Sequence, residues 1–562
     1  MRVCRGLPYL VLGLLLPGLG QAQTSVQLPD AGSILREVDL MVRPAVPVVP
    51  ALVAPQAPAP VAEDELVFVV ERFDVRGIRL IPPIEIDEVL APWRNRDITF
   101  ADLEDAMAAI ADHYQRSGWY ARPQLPAQDI VDNIIVVNVI EGRLGEIILA
   151  DPDALPIPEE HIFGYLTHRQ PTGNYLSIRE LNRSIQILSE RHGFVTSVAL
   201  SPSDTEASTD LLVLTEPTRR FDGSVVFDNT GSRTTGAERA FITTHLNNPF
   251  GSGDRIQLSI LRTPGVGFVR VGYEQPVGYG GWSWNFDASL MRYSVLQAFT
   301  ELDAGGRSRT LSTGASYAWL RSEGANTTFN ATVQSSQSEN ESGGDITSSN
   351  QTDSLRLNLS GDWADGYGAG AANVWSVAAV LGRLELDADN RAADRAGART
   401  HGAFSKLTWS LSRLQGINSQ NNLWLSANGQ LTGQNLGSGE QFSLGGAQGV
   451  RAYPASEGSG DLGFIATIEW RHTLTSELQL NYFLDYGHIR TRFDNRRTND
   501  SPNRYSLAGH GASINYTLPG QLSASLTWAR REGSNPNANA DGLDNDGSLS
   551  RNRFWLQLTR QF

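Results

Sequence analysis

The chain has 562 residues, 40% of them hydrophobic, and a formal charge of −15. So acidic a protein is a poor partner for nucleic acid. Its one Cys, Cys4, excludes a disulfide scaffold and a Cys-based metal site.

Residues 1–22 read as a secretory signal. Arg2 and Arg5 form the basic region, residues 7–16 form the apolar run, and Gly20-Gln21-Ala22 supplies a small-x-small cleavage site. The run is too short for a spanning helix. Cys4 precedes it, which does not fit a lipoprotein site. Processing would leave 44 basic residues (46 less Arg2 and Arg5) against 61 acidic ones, a charge of −17. No other apolar stretch approaches the length of a spanning helix, so only a barrel could cross a membrane. Lys406 is the only Lys among 46 basic residues, which reads as codon bias.

Residues 23–42 follow. Asp30 can cap a short helix with Ile34, Leu35 and Val38 on one face. Texture alone favours an unordered N-terminus over this helix. Residues 43–64, rich in Pro, Ala and Val, form an extended linker of polyproline character.

Residues 65–217 alternate helical and strand periods twice. The first unit, 65–142, predicts a strand over 67–75, helices over 83–91 and 100–117, and a Val/Ile strand over 134–140. The second, 143–217, predicts a strand over 146–149, helices over 159–166 and 177–191, and strands over 195–200 and 210–215. This suggests two β-α-α-β-β modules of about 75 residues each.

From residue 218 the texture is all-β. Segments of about 10 to 13 residues alternate between Gly/Asn/Asp/Ser-rich turns. In one, Leu478, Leu480, Tyr482, Leu484 and Tyr486 share a face, with Asn481, Phe483 and Asp485 opposite. In another, Phe464, Ala466, Ile468 and Trp470 oppose Thr467, Glu469 and Arg471. Lipid-out, water-in strands have this pattern. Roughly sixteen such segments predict a transmembrane antiparallel β-barrel over 218–562. Ten of the 12 Trp lie there, as aromatic girdles require. The last strand runs over 554–562 and ends on Phe562. Four long polar segments, 338–352, 387–399, 490–504 and 532–550, read as outer loops. The alternative is a large soluble β-protein.

Two motifs carry the candidate site. Residues 445–454 read Gly-Gly-Ala-Gln-Gly-Val-Arg-Ala-Tyr-Pro, a Gly-rich loop with one cation, Arg451, and with Gly445, Gly446, Val450 and Tyr453 around it. Residues 483–487 read Phe-Leu-Asp-Tyr-Gly, a strand with one anion, Asp485, between Phe483 and Gly487. The segment 433–460 joins strands eleven and twelve and is long enough to enter a lumen. Asp485, on strand thirteen, faces that lumen by parity. A charge-assisted pair could then hold the loop. From spacing alone, Arg451 reads as a solvated loop residue.

With these motifs in this order, the chain resembles the outer-membrane transporters of two-partner secretion, the haemolysin-activator type. That family runs signal peptide, plug helix, linker, two POTRA domains and a sixteen-strand barrel. Residues 29–35 are similar to its plug-helix start. Residues 122–129 with 139–144 resemble the end of its first POTRA domain. Val450-Arg451-Ala452-Tyr453 resembles its inward loop motif, and 483–487 its Phe-x-Asp-x-Gly strand motif. Ala452 departs from the usual Gly, Gly449 from a common Ser, and Arg560 from an apolar terminal signal.

The resemblance implies an outer-membrane pore with periplasmic N-terminal modules. It would recognise one secreted exoprotein through its POTRA domains and translocate it without nucleotide. Implied partners are outer-membrane lipid and, during biogenesis, the barrel-assembly machinery. No cofactor or nucleic acid is expected. Two rivals remain, a barrel-assembly insertase of the same superfamily and a passive porin. Residues 537–542 resemble the start of a calcium loop, but Ser548 stands at the twelfth-position Glu. The nine His show no ligand spacing, and no nucleophile-elbow or zincin motif is present, so no enzyme is expected.

Overall fold

The computed structural model describes residues 29–42, 68–130, 132–203, 205, 208–296, 303–455, 457–496, 502–539 and 541–562. The expected signal (1–22) and linker (43–64), and the start of the 23–42 segment, lie outside the described residues.

Helix α1 spans Ala31–Val42. Asp30 caps it: the Ser33 amide donates to Asp30 Oδ1 at 2.8 Å, and the Asp30 amide donates to Ser33 Oγ at 3.1 Å. Ala31, Ile34, Leu35 and Val38 are buried at helical spacing.

The first soluble unit has strands Arg72–Arg76, Ala121–Gln124 and Ile134–Glu141, with helices α2 (Pro83–Leu90) and α3 (Phe100–Arg116). The last strand lies in the middle of the sheet, parallel to the first and antiparallel to the second. The strand predicted over 67–75 is broken. Phe68–Val69 pairs with Asp97–Ile98, not with the sheet. The Val70 carbonyl accepts from the Asn95 amide, and the Glu71 amide donates to the Asn133 carbonyl, so the ladder cannot run through.

Glu141 closes this unit. Its Oε1 accepts the Tyr114 hydroxyl at 2.9 Å and the Arg79 and Leu80 amides at 2.7 Å each. Burial, reinforced by that carboxylate, pushes the Tyr114 phenol up, so it stays a donor.

The second unit repeats the plan with strands Arg143–Leu149, Phe194–Pro202 and Ser208–Pro217 and helices α4 (Glu159–Thr167) and α5 (Ile178–Ser189). Its strand order and directions match the first. Both units are the expected β-α-α-β-β modules.

Sixteen antiparallel strands close a barrel. They are β1 (Phe221–Asp228), β2 (Arg239–Asn247), β3 (Arg255–Arg262), β4 (Val266–Val277), β5 (Trp282–Ser294), β6 (Ala304–Arg321), β7 (Ala325–Ser342) and β8 (Asp345–Asp365). Then follow β9 (Ala371–Leu386), β10 (Gly402–Gly416), β11 (Asn421–Thr432), β12 (Leu462–Thr473), β13 (Leu478–Arg490), β14 (Arg504–Leu518), β15 (Leu522–Arg531) and β16 (Asn552–Gln561). β16 pairs with β1, which removes every free edge. Among the described residues no helix is long and apolar enough to cross a membrane.

Three of the four polar segments differ from simple loops. Residues 338–352 continue β7 and β8 past a tight Gly343-Gly344 turn, both at positive φ. Residues 387–399 hold a helix, Ala388–Ala396, capped by Asp387. Residues 532–550 fold inward, with Asp544 buried between Arg531 and Arg553.

The second unit is mounted on one rim of the barrel. Arg183, buried on α5, donates to the Ala318 carbonyl at 2.5 Å and the Trp319 carbonyl at 3.1 Å. Tyr279, in the β4–β5 turn, packs edge-on to Tyr165 at 5.1 Å between centroids. Gly164 is required there, since a Cβ would lie 2.5 Å from the Tyr279 ring.

Glu141→Ala would leave the Arg79 and Leu80 amides and the buried Tyr114 hydroxyl without their acceptor. The expected loss is about 2 kcal/mol of local stability, or roughly thirtyfold faster exchange. Hydrogen exchange at the Arg79 and Leu80 amides of the full chain checks this.

Candidate functional site

Between β11 and β12 the chain enters the lumen. Its two arms pair at Phe442–Ser443 and Ser459–Gly460, below which residues 444–455 and Glu457 form a folded tip. The Gly445 amide donates to the Glu457 carbonyl at 2.8 Å, and the Val450 amide to the Leu444 carbonyl at 2.7 Å. Gly446 turns the chain at φ +110°. Leu444, Val450, Ala452 and Tyr453 are buried against Ile465, Phe483, Leu507 and Ala529 of the inner wall.

This packing explains two unusual residues. A Cβ at Gly449 would sit 2.1 Å from the Leu444 carbonyl oxygen, so Ser does not fit this turn. The extra methyl of Ala452 lies over Gly509 of β14, where a Cβ would approach it to 2.5 Å. Gly487 of β13 likewise leaves room for Leu444 and Val450.

Asp485 faces inward on β13 between inward Phe483 and Gly487, and outward Leu484 and Tyr486 are exposed. Arg451 Nε donates to Asp485 Oδ2 at 2.9 Å and Nη2 to Oδ1 at 2.8 Å, a fork-on-fork pair. The Arg451 amide donates to the same carboxylate at 3.1 Å. The guanidinium lies 3.3 Å from the Phe483 ring centroid. Trp555 of β16 donates its Nε1–H to the Arg451 carbonyl at 2.8 Å. The structure therefore brings Arg451, Phe483 and Asp485 into contact and sets Val450, Tyr453, Gly445, Gly446 and Gly487 around them.

Sequence reasoning paired Arg451 with one anion and missed the second. Arg451 Nη1 donates to Glu469 Oε2 at 2.8 Å, and Arg471 Nε donates to Glu469 Oε1 at 2.9 Å. Charges alternate as Asp485, Arg451, Glu469, Arg471, and they balance. Asp485 side chain is 0% exposed and that of Glu469 is 5%, so neither carboxylate could stand alone. The signal was present: Glu469 and Arg471 share the lumen-facing parity of β12.

Helix α1 occupies the same lumen. Its apolar face packs on Leu261, Val266, Phe268, Met291 and Tyr293 of β3–β5. Its polar face meets the inward loop. Arg36 Nη1 donates to the Ser438 and Gln441 carbonyls at 2.9 and 2.8 Å, and Nη2 to Ser459 Oγ at 3.1 Å. Gly32 lies against Gly439, where a Cβ would come within 3.1 Å of the Gly439 nitrogen. Lys406 of β10, put down to codon bias above, pins this turn through Glu440 at 2.7 Å.

The remaining motif has a local role. Asn539 Oδ1 accepts the Asp541 and Leu543 amides at 3.0 and 2.9 Å, which shapes a turn. Among the described residues no cluster of His, Cys, Asp and Glu could hold a metal ion.

Comparison with known proteins places this geometry. Residues 207–516 match the haemolysin secretion/activation proteins ShlB/FhaC/HecB, and residues 68–142 match the ShlB-type POTRA domain. The heme/hemopexin transporter protein HuxB of Haemophilus influenzae (strain 86-028NP) is 21% identical over 566 residues, 97% of each chain. The structure of CdiB from Escherichia coli superposes with a TM-score of 0.66 at 21% identity, covering 94% of this chain and 96% of that one. BamA from Haemophilus ducreyi, in a form lacking POTRA domains 1-3, superposes at 0.53 and 13% identity, covering 88% and 100%. BamA and CdiB thus share one fold with this chain. The family match covers more than half of the sequence, and the chain belongs to the haemolysin secretion/activation protein family ShlB/FhaC/HecB.

Proposed function

We infer that this chain is an outer-membrane transporter that exports a partner exoprotein through its barrel, with its soluble modules in the periplasm. The observation that carries this reading is the double occupancy of the lumen. A helix and a loop lie inside one closed barrel, the helix held by its apolar face and by Arg36, the loop by charged contacts that can be exchanged. A passive porin has no use for two soluble modules mounted on its rim. An insertase acts on many barrels, and the family match favours export of a partner.

We assign residues 23–42 to the plug, 65–142 and 143–217 to two POTRA domains, and 218–562 to the barrel. Arg451 and Asp485 act as the latch of the inward loop, with Glu469 and Arg471 extending it. The second module supports cargo docking in two ways. Its Phe194–Pro202 strand is a sheet edge. Beside that edge lie Val195, Leu212 and Leu214, which are 50%, 41% and 38% exposed. An extended segment could add to the edge by main-chain hydrogen bonds and place apolar side chains on this stripe. Lipid surrounds the barrel, and the barrel-assembly machinery inserts it.

Three outcomes test the assignment. The full chain should capture one large secreted protein through that protein's N-terminal region, and capture of many unfolded barrel proteins would favour the insertase. Arg451→Ala should cut export at least about tenfold while the barrel still assembles, because two buried carboxylates lose their shared cation. Export equal to the parent, measured as cargo outside the cell, would refute the latch. Deleting residues 23–42 should enlarge ion conductance in planar bilayers, and unchanged conductance would count against a plug.

A further inference from the structure

The outer wall of the barrel carries a charge pattern away from the lumen. On β3–β6 the register aligns one row across four strands. Arg262 stands opposite Gly267, Gly267 opposite Arg292, and Arg292 opposite Arg307. All three arginines are exposed on the outward face. Arg309, also exposed, lies two residues from Arg307 on the same face. Gly267 adds no side chain, and the Arg262 guanidinium lies over it: a Cβ there would be 3.0 Å from Nη1.

Like charges directly across a strand pair are destabilising unless something neutralises them. Arg307 has a partner, Glu339 of β7, with its Nε 2.8 Å from Oε2. Glu341 is the other acid on that side of β7, opposite Gly305. Arg262, Arg292 and Arg309 have no acceptor among the described residues. Arg383, outward on β9, differs: it pairs with Glu385 at 3.0 Å and faces Asp353 across the strands.

The height of the row identifies its surroundings. Trp282 and Tyr317 stack at 4.6 Å on the rim that carries the soluble modules. From Trp282 to Arg292 the strand climbs ten residues (292 less 282), about 25 Å along the barrel axis once strand tilt is allowed for. That is the height of the outward apolar band, so the arginines lie at the opposite boundary. Directly below them is a groove of about 350 Å³ lined by Val269, Val271, Ala288, Leu290 and Leu311, with Arg309 at its edge. It exists because small Ala288 stands between Val271 and Leu311.

We propose that the outer face of β3–β6 binds the phosphorylated headgroup of an outer-leaflet glycolipid through Arg262, Arg292, Arg307 and Arg309, with one acyl chain in the groove below. The inference rests on the outer-membrane reading above. A guanidinium cluster matches phosphate geometry, and a phosphate between Arg292 and Arg309 turns their repulsion into bridged ion pairs. The groove adds apolar burial that a free anion would not gain.

Native mass spectrometry of the full chain in neutral detergent, with bisphosphorylated lipid A as the probe, tests this. The parent should retain lipid A about tenfold more than its dephosphorylated form, and Arg292→Gln/Arg307→Gln/Arg309→Gln should lose that preference. Arg383→Gln should keep it. Equal retention of both lipid forms by the parent, or full preference in the triple variant, overturns the proposal. If the triple variant does not assemble, Ala288→Phe, which fills the groove from the lipid side, should lower retention; unchanged retention overturns the proposal equally. Insertion into planar bilayers is read on the same protein. A parent that inserts but ignores lipid A sinks this inference alone, whereas a parent that fails to insert sinks the membrane reading.

Discussion

A buried guanidinium held by two carboxylates sets the arrangement of the lumen. Arg451 is in the irregular tip of the loop, facing a wall of strands whose backbone groups are already paired to one another. Side chains must therefore position it. Asp485 accepts the side chain and the amide of Arg451, Glu469 takes the remaining nitrogen, and Arg471 neutralises Glu469. Buried ion pairs add little net stability, because desolvation offsets most of the attraction. Breaking one by losing a partner is far more damaging, on the order of 3–5 kcal/mol. Such a group is poor glue but a sharp register mark, since the loop has one place where every charge is met.

The same loop also holds the helix. Arg36 of α1 donates to carbonyls on both sides of the Ser438–Glu440 turn, and Lys406 fixes that turn from the wall. The helix contributes an apolar face to β3–β5 and a polar face to the loop. A displacement that carries the loop away from Asp485 also moves the acceptors of Arg36. Helix and loop thus share contacts, so loss of one set weakens the other.

Much of this was legible in the sequence, for reasons of period and parity. A two-residue alternation sustained over sixteen segments has few readings other than a closed barrel, and it put Asp485 on the inner face. Asp30 and the Ile34, Leu35, Val38 spacing marked a capped amphipathic helix. The failures are also specific. The strand over 67–75 is broken because Val70 and Glu71 send their backbone groups to Asn95 and Asn133, partners distant in sequence. Segment 532–550 looked like a solvated loop, yet Arg531 and Arg553 bury Asp544. Lys406 looked like an accident of composition, since nothing local reveals that Glu440 lies beside it. Each miss depends on a non-local partner, which periodicity does not encode.

The barrel has two unlike sectors. The turns of β4–β5 and β6–β7 carry the second soluble module, and Arg183 reaches the Ala318 and Trp319 carbonyls there without any carboxylate. The inner face of β3–β5 holds α1 through apolar contact. The opposite sector, β11–β14, holds the inward loop through exchangeable charges and glycines that leave room for it. Apolar burial and a buried guanidinium bound to fixed carbonyls resist motion, because any displacement exposes or orphans them. Charged side chains on long stems can change partners within one lumen. The sector built on β11–β14 is therefore the one whose lumen contacts can be exchanged, and the module-bearing sector the one whose contacts cannot.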